Sequence, residues 1–158
     1  MSIPIIAIRA GLGLLPRVMT SDEALVMMIA IGLQESRFVH RKQIGGPALG
    51  FWQFEKHGGV KGVMQHASSK KHAERVCAKL SIPFDRTVIY NSLAYNDPLA
   101  AAFARLLLWT DPKPLPELGD VNGAWDYYIR NWRPGKPHRR TWNALYAQAL
   151  DYIDSGAE

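Results

Sequence analysis

The amino-acid sequence predicts a mainly α-helical chain folded as a single domain. Two apolar runs too long for ordinary strands, residues 24 to 33 and 99 to 109, each follow a helix-start signal. Elsewhere apolar residues recur at helical spacing, and the only candidate for β structure is a short hairpin near residues 44 to 54. With 158 residues, 47% hydrophobic and 21% charged, the composition is that of an ordinary globular protein. A chain of this length buries roughly 70% of its unfolded surface.

The central helix is expected over about residues 20 to 37. Thr20-Ser21-Asp22-Glu23 has capping-box spacing, a hydroxyl followed three residues later by a glutamate, which satisfies the open N–H groups of a helix start. The run behind it is hydrophobic on every face and therefore belongs inside the protein. From residue 40 to 58 the character changes: Gly45, Gly46, Pro47 and Gly50 precede the aromatic cluster Phe51, Trp52 and Phe54, as in an irregular loop or short hairpin.

Further along, Ala73, Val76, Cys77 and Leu80 recur at i, i+3, i+4 and i+7 among Lys and Arg, the pattern of an amphipathic surface helix. Another helix is expected over residues 86 to 94. Asn96-Asp97-Pro98 pairs a cap with proline in the first turn and opens the second apolar helix. The proline-rich segment 111 to 116 stops it and favours an extended connection. Asp120 then caps a helix through Trp132, and Trp142, Leu145, Tyr146, Ala149 and Ile153 line one face of a last helix over about 141 to 154. No internal repeat or long linker interrupts the series.

Nineteen Lys and Arg against fourteen Asp and Glu give a net charge of +5, which favours encounter with a polyanion such as nucleic acid, a phospholipid face or an anionic cell wall. Cys77 is the only cysteine, so the chain forms no internal disulfide and suits synthesis in a reducing cytosol. His57, His66 and His72 beside Cys77 match no common ligand spacing, so neither a metal nor a cofactor is expected. Residues 1 to 9 lack a basic leader, and Arg9 and Arg17 interrupt the apolar stretch, so no classical signal peptide is expected. No uncharged apolar run reaches the length of a membrane span.

Chemistry is expected at Glu35. It closes the last turn of the buried helix, where desolvation and the negative end of the helix dipole both raise a carboxyl pKa. Arg37 opposes that shift where it folds back. An acid protonated near neutral pH can give its proton to a glycosidic oxygen. The loop that follows supplies flat apolar faces in Phe51, Trp52 and Phe54, a hydrogen-bonding amide in Gln53, close backbone approach at Gly50, and a second carboxylate in Glu55.

Gln34-Glu35-Ser36 at the end of a buried helix, followed by Gly50-Phe51-Trp52-Gln53-Phe54, resembles the motif pair of goose-type lysozymes and soluble lytic transglycosylases. Those families carry a Glu-Ser pair and then Gly-Leu-Met-Gln; here Phe-Trp replaces Leu-Met. Their third motif, alanine-tyrosine-asparagine followed by glycine, is loosely echoed in residues 124 to 135. The resemblance implies a lysozyme-like helical domain that cleaves the β-1,4 bond between N-acetylmuramic acid and N-acetylglucosamine of peptidoglycan. By that likeness Glu35 is the catalytic acid, Ser36 the neighbour that sets the site and Gln53 the motif glutamine. Tyr128 is chosen over Tyr127 as the site tyrosine, with Asn131 and Arg133 as substrate contacts. Glu55 falls where goose-type lysozymes position water, whereas lytic transglycosylases use the substrate's acetamido group and form an anhydro product.

Small size, cytosolic character and the lack of a leader point to a bacteriophage endolysin or virion-associated protein, made in the cytoplasm and acting on the cell wall after holin-type release or virion delivery. The basic stretch 130 to 140, with Arg130, Arg133, Lys136, His138, Arg139 and Arg140, is suited to anionic groups of the envelope. The competing reading is a non-catalytic basic helical module that binds nucleic acid or a phage structural partner. Against it, the basic residues are spread along the chain, and the apolar helix ending in Glu35 has no purpose in it.

Overall fold

The computed structural model describes residues 2 to 156. Its helices are Ile5–Gly13 (α1), Asp22–Ser36 (α2), Lys61–Gln65 (α3), Lys70–Lys79 (α4), Arg86–Ser92 (α5), Asp97–Trp109 (α6), Val121–Trp132 (α7) and Arg139–Asp154 (α8). The architecture is mainly α, built around one hydrophobic core.

Helix α1 is not anticipated by the sequence reading, which weighed this segment only as a leader. It begins after Pro4 with no side-chain cap. Ile5, Ile8 and Leu12 bury one face. Gly11 permits the close approach: a Cβ there would lie 2.7 Å from both Ala101 Cβ and the Pro98 carbonyl of α6.

Helix α2 is central, as its apolar run predicts, with every residue from 24 to 33 buried. Its cap is displaced by one position from the expected box. Ser21, not Thr20, accepts the Ala24 N–H at 3.1 Å, which moves Glu23 out of the capping-box position and leaves Asp22 and Glu23 in the first turn, where the helix dipole favours them. Helices α8 and α6 pack along α2, and α1 lies along α6. Helix α6 starts as predicted, with Asn96 Oδ1 accepting the Leu99 N–H at 3.0 Å.

Of the two forms expected after α2, an irregular loop or a short hairpin, the chain adopts the irregular loop. Isolated antiparallel bridges join Leu49 to Lys42 and to Phe54, while Gly45, Gly50 and Gln53 adopt left-handed backbone angles that break up a continuous ladder. A wide turn over Lys56–Val60 leads into α3, a short helix the sequence reading also leaves out. Asp120 caps α7 by accepting the Gly123 N–H at 2.9 Å. Helix α8 starts two residues before the expected boundary. Among the described residues no helix is long and apolar enough to cross a membrane.

Candidate active site

Helix α2 ends sharply because Arg37 and Phe38 both take left-handed angles, φ 58° and 55°. The Arg37 guanidinium folds back onto the helix end, with Nη1 donating to the Leu33 carbonyl at 2.5 Å and to that of Gln34 at 3.4 Å. It therefore caps carbonyls and forms no ion pair with Glu35. Phe38 turns its ring onto Gly32, where a Cβ would meet ring carbon at 2.2 Å. Gln34 fastens the same turn to the start of α8: Nε2 donates to the His138 carbonyl at 2.9 Å and Oε1 accepts the Thr141 hydroxyl at 2.9 Å.

Glu35, on this fixed turn, is half-buried, and the hydroxyl of Tyr128 donates to its Oε2. Burial pushes the carboxyl up to about 7 from 4.5, against the opposing effect of the Tyr128 hydrogen bond. Tyr128 is itself buried and stacks on Trp142 with centroids 5.2 Å apart and planes at 2°. Its phenol is held above the usual range by burial and by Glu35, so it remains a donor. Tyr127 points elsewhere, donating to the carbonyls of Leu108 at 3.1 Å and Lys113 at 2.9 Å. Of the two adjacent tyrosines, Tyr128 is the one that contacts Glu35.

The loop after α2 takes a structural part in place of the expected sugar platform. Phe51, Trp52 and Phe54 are only 5%, 1% and 3% exposed, so their flat faces are covered by protein. Trp52 lies against Phe38, and its indole N–H donates to the Met28 carbonyl at 2.8 Å. Ser36, also buried, donates to the Phe51 carbonyl at 2.6 Å and accepts the Phe38 N–H at 3.1 Å. Arg41 lies 4.4 Å from the Phe51 centroid and forms a forked pair with Asp97 at 2.5 and 2.9 Å. Gly50 fits against the Leu93 carbonyl, 2.7 Å from where a Cβ would stand. Gln53 is half-buried and donates to the Gly50 carbonyl at 2.8 Å. Aromatic residues beside glycine read equally well as platform or packing in a sequence; burial separates the two.

A cleft of about 540 Å³ opens beside these elements, with Glu55, His57 and Lys61 on one wall and Asn131, Trp132 and Arg133 on the other. Glu55 and Arg133 are exposed there. Asn131 donates to Asp111 at 2.8 Å, as Arg130 does at 2.7 Å. Burial pushes Asp111 up, yet these donors and the Lys113 N–H outweigh it and hold the carboxyl below its ordinary value.

Glu35 does not line the cleft. Trp132 connects the two: it faces the cleft, donates its N–H to the Trp52 carbonyl at 2.9 Å, and has its ring 6.1 Å from that of Tyr128. In the sequence Trp132 reads only as the end of a helix and His57 only as a candidate metal ligand, and Lys61 carries no signal of its own. Gly58-Gly59 was the available signal for that wall, since a Cβ on Gly59 would press on the Phe54 ring at 3.0 Å.

Comparison with protein-family models, curated proteins and solved structures finds no match for the chain. Among the described residues, no group of three or more His, Cys, Asp or Glu is arranged to hold a metal ion.

Proposed function

We propose that this protein is a lysozyme-like enzyme that cleaves the β-1,4 bond between N-acetylmuramic acid and N-acetylglucosamine in peptidoglycan, with Glu35 as general acid. The observation that carries the reading is the half-buried carboxyl with a pKa of about 7, oriented by Tyr128. Near neutral pH a substantial fraction of Glu35 is protonated. Tyr128 occupies Oε2, which leaves Oε1 to carry the proton. Transfer of that proton to the bridging oxygen turns the departing sugar into a neutral alcohol as positive charge grows on the other ring.

In this reading the scissile bond lies at Glu35 and the glycan extends past Trp132 into the neighbouring cleft, where Arg133 and Lys61 attract the carboxylates of lactyl and peptide groups. Ser36 and the aromatic loop hold the acid in place from behind. Two chemistries complete the reaction: Glu55 activates water and the product keeps a reducing end, or the substrate's acetamido oxygen attacks and the sugar closes to an anhydro form. As for the competing nucleic-acid reading, Arg130 is engaged by Asp111 and Arg139 by Asn122 at 2.5 Å, which reduces the basic stretch available to a polyanion.

The test is clearing of outer-membrane-stripped cells, coupled to mass spectrometry of digested murein. The native chain is expected to clear and Glu35→Gln is not. Equal clearing by the two removes Glu35 as the acid. Salt-sensitive DNA retention with no clearing favours the non-catalytic module. Products that differ by one water distinguish hydrolysis from anhydro formation.

A further inference from the structure

Helix α6 carries a guanidinium inside its apolar run. Arg105 is 4% exposed, and burial pulls its pKa down to about 10, so it is charged at neutral pH. Nε donates to the Met19 carbonyl at 2.7 Å, and the guanidinium lies 5.5 Å from the Trp109 ring centroid. The ion pairs among the described residues are Arg41–Asp97 and Arg130–Asp111; neither involves Arg105. Its terminal nitrogens have no protein acceptor there, and they are not sealed off, because the buried side-chain nitrogens without a partner belong to His72 and Arg139.

Arg105 lines a cavity of about 500 Å³ whose walls include Leu108, Trp109, Pro114 and Leu115, with Lys113 also facing it. Asp111 borders the same cavity, but Arg130 and Asn131 already hold its carboxylate. A buried charge without a counter-ion is costly, and leucine or methionine would serve the helix better. The combination of a forked cation and an apolar chamber matches a ligand with a planar anionic head and an apolar body.

We infer that this cavity is a second binding site, for a small organic carboxylate, with Arg105 receiving the carboxylate and Trp109, Pro114 and Leu115 covering the apolar body. The site does not depend on the glycosidase reading, because its test reads binding alone.

The probes are phenylacetate, neutral phenylacetamide, acetate and sulfate, followed by NMR at the Trp109 indole N–H. Phenylacetate is expected to give a saturable shift. Phenylacetamide, acetate and sulfate are each expected to bind at least about tenfold more weakly, because each lacks the charge, the apolar body or both the planarity and the body. Arg105→Met is expected to lose phenylacetate binding. Leu115→Trp, which fills the chamber and leaves Arg105 intact, is expected to do the same and serves if Arg105→Met does not fold. Equal binding of phenylacetate and its amide, equal binding of sulfate, no saturation, or full affinity in Leu115→Trp overturns the inference.

Discussion

Tyr128 donates its hydroxyl hydrogen to Oε2 of Glu35 from 93 positions along the chain, joining the end of α2 to α7. The bond favours the ionised carboxylate and burial disfavours it; burial prevails, at about 7. Tyr128→Phe keeps the ring against Trp142 and removes only the donor. The Glu35 pKa is therefore expected to rise above about 7, and the alkaline limb of any activity profile to move up with it. Carbon-13 titration of the side-chain carboxyl checks the direction, and a pKa that falls would contradict the hydrogen bond's assigned effect.

Glu35 also couples stability to pH. The folded chain retains this proton to about pH 7 whereas an ordinary glutamate loses it near 4.5. The associated stability is present in full below the unfolded value and is lost as pH rises through the folded one. The total is at most about 3 kcal/mol. Glu35→Gln removes the titration while leaving Tyr128 an acceptor, so its stability relative to the native protein should improve between pH 5 and pH 8 by up to that amount. Urea denaturation at the two pH values measures it. The same variant is expected to lose roughly 10²–10⁴-fold in glycan cleavage, so a gain in stability accompanied by a loss of activity is the outcome anticipated. A relative stability independent of pH would refute the raised pKa.

Both consequences are partly legible in the sequence. Helices α2 and α6 announce themselves because an apolar run and a cap coincide, and desolvation of a glutamate at the end of such a run follows directly. Helix α1 is hidden because it starts at Pro4 without a capping side chain and is held by the fit of Gly11 to α6, a contact between distant parts of the chain. The loop residues were misread for a related reason. Phe51, Trp52 and Phe54 have surfaces that suit either a saccharide or a core, and only the return of α2 and α7 around them decides the matter. Arg105 is obscured by its neighbours, since a single charge in a leucine- and alanine-rich helix reveals nothing about the cavity it faces.

Ser36 ties the end of α2 to the aromatic loop. Its buried hydroxyl donates to the Phe51 carbonyl at 2.6 Å and accepts from the Phe38 N–H at 3.1 Å. Ser36→Ala leaves both groups without that partner while changing little volume, so a loss of about 1–3 kcal/mol is expected. Thermal or urea unfolding gives the value. A change within a few tenths of a kcal/mol would mean that the loop's other contacts, those of Arg41, Trp52 and Trp132 among them, hold it without Ser36.

Gly50 and Gly45 separate backbone strain from close contact. Both have positive φ, +79° and +72°, but a Cβ at Gly50 would lie 2.7 Å from the Leu93 carbonyl, whereas nothing stands within 4 Å of one at Gly45. Gly45→Ala should therefore cost only the left-handed penalty, about 1 kcal/mol. Gly50→Ala adds displacement of a backbone carbonyl, and a total of roughly 2–4 kcal/mol is expected. Because Gly50 is packed against Leu93 just before the turn that places Trp52 under α2, its variant should also shift the Trp52 indole resonance, which Gly45→Ala should leave in place. Equal losses from the two substitutions would show that the segment around Leu93 yields without cost, and that this loop is not rigidly seated.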